Sequence, residues 1–142
     1  MATVLIAIDE SQFAENAFKW YAANFHKPEN KVILLHVIEN LGITDMSPAR
    51  YMELQREAKQ KAEALKEKYA AMSRELGFEA DIHIKTSDKP EHAIVDTAEK
   101  EKVTYIVSGS RGMGLIRRTI LGSTSDFILH HAHCPVLICK NQ

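Results

Sequence analysis

Val103-Thr104-Tyr105-Ile106-Val107-Ser108-Gly109-Ser110-Arg111-Gly112-Met113-Gly114, followed after Leu121 by Gly122-Ser123-Thr124-Ser125-Asp126, passes from an apolar run through a glycine-rich stretch into a helical pattern. Three of the chain's six glycines fall between Ser108 and Gly114, and Gly122 opens the last helical pattern. A continuous apolar run with no alternation is the mark of a strand covered on both faces. Glycine admits positive φ and close approach of a ligand to the backbone, so Gly109, Gly112 and Gly122 are expected to make unusual turns. A helix start carrying Ser123, Thr124 and Ser125 would aim N–H groups and hydroxyls outward, and an anion is the natural guest there.

The same strand, loop and helix alternation extends in both directions. Val4 to Ile8 reads as a first buried strand, ending at Asp9-Glu10-Ser11. Ala14, Ala17, Phe18, Tyr21, Ala22 and Phe25 then recur at helical spacing to about His26, with Ser11 as N-cap. Lys27-Pro28-Glu29-Asn30 is turn chemistry, and Val32 to Ile38 is a second buried strand. A loop from Glu39 to Ser47 leads to a long helix with Pro48 at its first position. Its apolar face is predicted to run Tyr51, Leu54, Ala58, Ala62, Leu65, Tyr69, Met72, Leu76, and Gly77 stops it.

Phe78 to Thr86 alternates and suits an edge strand with one face less covered. Asp88-Lys89-Pro90-Glu91 resembles a capping box opening a short helix through Ile94, Thr97, Ala98 and Glu101. Val103 to Ser108 is the fourth strand. Ser125, Ile128, Leu129 and Ala132 trace the last helix, and Pro135 to Ile138 the fifth strand. The order β-α-β-α-β-α-β-α-β, without repeat or linker, argues for one domain over residues 1–142: a doubly wound, mainly parallel sheet with helices on both faces. Ligands of such sheets bind beyond the carboxyl ends of the strands, where the strand order reverses.

Composition narrows the function. The chain has 142 residues, 45% apolar and 26% charged, with a formal net charge of -1. A domain of that length buries roughly 68–70% of its unfolded surface. It lacks the basic excess of a nucleic-acid binder, and the run Val4 to Ile8, broken by Asp9-Glu10, is neither a signal peptide nor a membrane span. Cys134 and Cys139, an odd number of residues apart on one strand, point to opposite faces and read as reduced thiols. A cytoplasmic protein without nucleic-acid or membrane partners is expected.

No Gly-x-x-x-x-Gly-Lys-Ser/Thr loop occurs, and the first strand-to-helix turn has no glycines, which removes the usual dinucleotide fingerprint. The spacing Gly109-x-x-Gly112, nine residues, then Gly122-Ser123 resembles instead the motif of the ATP-binding universal stress proteins. Ile6-Ala7-Ile8-Asp9-Glu10-Ser11, Leu35-His36-Val37, Asp88-Lys89-Pro90-Glu91-His92-Ala93-Ile94 and His130-His131-Ala132-His133-Cys134-Pro135-Val136-Leu137 resemble further segments of that family.

The resemblance implies a Rossmann-like sheet in the order 3-2-1-4-5 and a nucleotide-dependent regulatory protein of the stress response. Ala7, Ile8 and Asp9 would flank base and sugar, Val37 would offer its backbone to adenine, and Ser108 and Gly109 would complete the adenine and ribose side. Ser110, Arg111, Gly112, Gly122, Ser123, Thr124 and Ser125 would hold the phosphates, with Arg117 or Arg118 assisting. The resemblance further implies a homodimer through the fifth strand, Cys134 to Cys139, an apolar edge of a kind usually paired or covered.

Some readings stay open. Asp9 beside a triphosphate either holds Mg²⁺, bonds ribose or merely starts the first helix. His130, His131, His133 and Cys134 match no zinc-ligand spacing and suit a helix C-terminus. Ser108, Ser110, Ser123 and Ser125 have no base paired to them by motif, and Gly-x-Ser-x-Gly is absent; at most slow ATP hydrolysis is expected. An interaction module that does not use nucleotide is the third reading.

Overall fold

The computed structural model describes residues 1–40, 42, 46–110 and 121–140. Nine elements follow in the predicted order: β1 (Thr3–Ala7), α1 (Gln12–Asn24), β2 (Lys31–Glu39), α2 (Pro48–Glu75), β3 (Asp81–Ser87), α3 (Pro90–Lys100), β4 (Tyr105–Gly109), α4 (Ser123–His131) and β5 (Val136–Cys139). All four strand pairings are parallel, and the sheet order is β3-β2-β1-β4-β5.

Local chemistry sets most of the boundaries. Ser11 caps α1, its hydroxyl accepting the Ala14 N–H at 3.2 Å, and Ser47 caps α2 by accepting from Arg50 N–H, with Pro48 just inside. Gly77, at φ +92°, takes the left-handed turn that ends α2. Asp88 does not cap α3. Lys89 occupies the cap position with no side-chain bond, and the Ser87 hydroxyl accepts the Lys89 N–H instead at 3.0 Å. The capping-box spacing is defeated because the chain is still turning off β3 at Asp88.

The sheet divides the core into two layers. Val4, Ile6 and Ile8 of the first strand and its continuation join Ala17, Phe18, Tyr21, Leu65 and Tyr69 on the α1 and α2 side. Leu5, Ile33, Leu35 and Ile106 join Ile94, Val95, Ala98 and Ile128 on the α3 and α4 side. This period-two alternation within an unbroken apolar run is how a strand feeds two cores at once. Cys139 packs toward the first layer and Cys134, which precedes β5 instead of lying on it, toward the second, so the two thiols face opposite sides. β3 is an edge strand with no fully buried residue. Leu76 and Leu129, predicted on apolar faces, are 44% and 45% exposed: Leu76 is the C-cap of α2, and in α4 the neighbouring Ile128 takes the core-facing position instead.

Candidate functional site

β1 and β4 run side by side, with Ile6 opposite Val107, and their carboxyl ends stop together. From there β1 continues into α1 on one face of the sheet and β4 continues toward α4 on the other, so a crevice opens between them. That crevice is open to solvent and encloses a cavity of about 110 Å³. Ala7, Ile8 and Asp9 enter it from the end of β1, Ser108 and Gly109 from the end of β4, and Thr124 and Ser125 from the start of α4. Val37 lines it beside Leu35 and His36 of β2.

Of the residues singled out in the sequence, these eight converge: Ala7, Ile8, Asp9, Val37, Ser108, Gly109, Thr124 and Ser125. Ser110, Gly122 and Ser123 stand next to it in the chain, Ser123 exposed at the first turn of α4. Arg111, Gly112, Arg117 and Arg118 lie outside the described residues. Ala14, Leu35, His36, Pro90 and Ile94 line the crevice as well and were not singled out as site residues. Pro90 and Ile94 could have been found from their place just after β3, whose carboxyl end lies on the same rim; His36 carried no signal beyond its neighbour Val37.

The two halves of the glycine pattern are fastened through one residue. The Gly122 N–H donates to the Ser110 carbonyl at 2.8 Å. The Ser125 hydroxyl lies 3.0 Å from the same carbonyl and 3.1 Å from that of Gly122. The Ser110 N–H donates to the Cys139 carbonyl at 3.0 Å, tying the junction to β5. The hydroxyls of Ser108 and Ser125 are thus both turned to backbone carbonyls, Ser108 to Gly109 at 3.0 Å. Ser125 is buried, and Thr124 is left as the hydroxyl of α4 on the crevice wall.

Positive φ is not what the two described glycines here supply. Gly122 caps α4 at φ -64°, and positive φ among the described glycines occurs at Gly42 and Gly77. At Gly109 the constraint is steric: a Cβ would stand 2.8 Å from the carbonyl oxygen of Phe13, so the first turn of α1 passes directly over the end of β4.

Asp9 joins the crevice to α1. Its Oδ1 accepts the Ser11 N–H at 2.7 Å and also the Ser11 hydroxyl, which in turn accepts from Ala14. The helix-start reading is therefore part of its role, and Asp9 lines the crevice at the same time. Beneath it, Tyr69 of α2 is fully buried. Burial, with the negative charges of Glu15 and Asp9, pushes its phenol well above the ordinary range.

The histidine run lies away from this crevice. His131 stacks on Phe127 at 4.0 Å, which stacks on His92 at 4.4 Å. His130 is 3.4 Å from Asp126, and His133 is 3.7 Å from Glu99. Among the described residues no three His, Cys, Asp or Glu side chains converge as a metal site, and no helix is long and apolar enough to cross a membrane.

The sequence pattern of the Universal stress protein family matches residues 1–140. The chain belongs to that family. It is 30% identical to universal stress protein MJ0577 of Methanocaldococcus jannaschii over 98% of this chain and 94% of that protein. The solved structure of hypothetical protein MJ0577 superposes with a TM-score of 0.87 at 29% identity, covering 99% of this chain and 96% of that one. A universal stress protein family protein of Arabidopsis thaliana, At3g01520, solved with AMP bound, gives a TM-score of 0.75 at 25% identity, covering 100% and 93%. Two other relatives are longer, and the chain spans 63% and 47% of them.

Proposed function

We propose that this universal stress protein binds an adenine nucleotide, ATP, in the crevice between β1 and β4, and acts as a nucleotide-dependent regulatory protein of the stress response. The observation that carries this is the convergence of Asp9, Val37, Gly109 and Thr124 at the point of strand-order reversal. The AMP carried by the Arabidopsis relative supports the same class of ligand.

The crevice suits the ligand in parts. Ala7, Leu35, Val37 and Ile94 provide apolar walls for a purine, with Ile8 and Asp9 beside the sugar and Ser108 and Gly109 closing that side. The start of α4, Ser123 to Ser125, supplies N–H groups with no partner inside the helix and a favourable dipole for phosphate. Ser110, Arg111 and Gly112 are assigned to the phosphates with them. Mg²⁺ is commonly held by one or two carboxylates plus phosphate oxygens. With Oδ1 committed to Ser11, Asp9 would contribute its other oxygen to such an ion, whose role is to neutralise phosphate charge.

Heat-denaturing the purified protein and weighing any released nucleotide tests the ligand directly. Gly122→Val is expected to abolish ATP binding by calorimetry while the circular dichroism spectrum survives; equal affinity of variant and parent would sink the assignment. Hydrolysis is expected to be slow or nil. ADP release with Mg²⁺ should stay below about one turnover per second, under the range of dedicated enzymes.

A further inference from the structure

The ladder between β1 and β2 ends in a way that bears on Val37. The Ile8 N–H still donates to the Leu35 carbonyl at 2.9 Å. In a regular parallel ladder the next bond would bring the Val37 N–H to the Ile8 carbonyl. That carbonyl is met instead by the imidazole of His36, whose Nδ1 lies 3.0 Å away. A carbonyl can only accept, so Nδ1 carries the proton and donates.

Peptide groups alternate in direction along a strand. Leu35 bonds toward β1, whereas Asn40, following β2, donates its N–H to the Ser87 carbonyl at the end of β3. Val37 shares the direction of Leu35, so its N–H and carbonyl face the side on which β1 has already ended. That side is the crevice, which Ile8, Asp9 and Val37 all line.

We propose that His36 is a positioning residue for the base side of this site. By capping the Ile8 carbonyl it holds the ends of β1 and β2 so that the Val37 peptide is left to a ligand. A donor and an acceptor side by side fit a heterocycle edge that presents an acceptor beside an amino group. The inference rests on the nucleotide reading above and names the group that keeps the Val37 backbone from closing the sheet.

The test compares the whole protein with His36→Leu and His36→Asn, titrating adenosine and, separately, inorganic tripolyphosphate by calorimetry. An asparagine amide can place an N–H near the position of Nδ1, while leucine cannot donate. Adenosine affinity is expected to fall about tenfold in the leucine variant, the effect of losing one well-placed hydrogen bond, and to stay within about threefold in the asparagine variant. Tripolyphosphate binding should be unchanged in both. Wild-type adenosine affinity in His36→Leu, or an equal loss for both ligands, would overturn the positioning role.

Long-range nitrogen–proton spectra of the unmodified protein give a second readout that survives misfolding of either variant. A proton on Nδ1 of His36 supports the cap, and a neutral ring protonated on Nε2 overturns it. A parent protein that binds tripolyphosphate but no adenosine overturns the base-side role. One that binds neither overturns the nucleotide reading itself, and the spectra then decide the cap alone.

Discussion

Adding one methyl group at Gly109 probes a tight contact in the candidate site, since a Cβ there would meet the Phe13 backbone at 2.8 Å. Gly109→Ala is expected to destabilise the fold by about 1–3 kcal/mol, the cost of overpacking against backbone that cannot rotate away, read as a lower urea midpoint with unchanged slope. Tyr69 offers the opposite case. Its buried hydroxyl has no hydrogen-bond partner among the described residues, so Tyr69→Phe removes a desolvated polar atom and loses no bond. Stability should hold or rise by up to about 1 kcal/mol, measured by the same denaturation. At this scale the sequence was readable where chemistry is local: Ser11 and Ser47 cap the helices they precede. It was misleading at Gly109, where glycine is needed because α1 crosses β4, a contact between segments 96 residues apart.

Among elements, α1 and α2 are joined by a charge cluster that sets an acid limit on stability. Glu15 of α1 lies 2.6 Å from Lys68 of α2 and 3.1 Å from Lys19. Hydrogen bonds from Lys68 above all, then from Lys19 and Gln12, hold its carboxyl down at about 2 against an ordinary 4.5, outweighing the opposing effect of burial. A folded pKa below the unfolded one gives stability that is complete above pH 4.5 and is lost as pH falls toward 2. Glu15→Gln should therefore lower the urea midpoint at pH 7 and flatten its fall between pH 4.5 and 2; parallel pH curves for variant and parent would refute the coupling. Pairing of this kind could not be read from the sequence. The pair Glu15 and Lys19 lies four residues apart on one helix, whereas Glu15 and Lys68 meet only because α1 and α2 pack on the same face of the sheet. The order and type of all nine elements were legible, and errors collected at their ends, as at Asp88 and at Leu76.

For the whole molecule, the open edges of the sheet are β3 and β5. β3 carries Asp81, His83 and Lys85, charged or polar groups that discourage pairing. β5 is Val136-Leu137-Ile138-Cys139, all half-buried, with no charge along its length. We expect a homodimer joined through β5, from the segment Cys134 to Cys139, with Ile138→Lys shifting the mass in solution to that of a monomer and leaving the helical circular dichroism intact. A monomeric parent at micromolar concentration would defeat this. The sequence by itself determined the alternation of strands and helices and their parallel pairing, because apolar periodicity and capping are properties of neighbours along the chain. Only the tertiary structure decided that Ser108 and Ser125 spend their hydroxyls on backbone carbonyls and that His36 caps Ile8. Those facts depend on where each strand stops relative to the next, which no single stretch of sequence encodes. The sequence around Gly109 and Gly122 thus pointed to a candidate site, and the ends of β1 and β2 shape the crevice there.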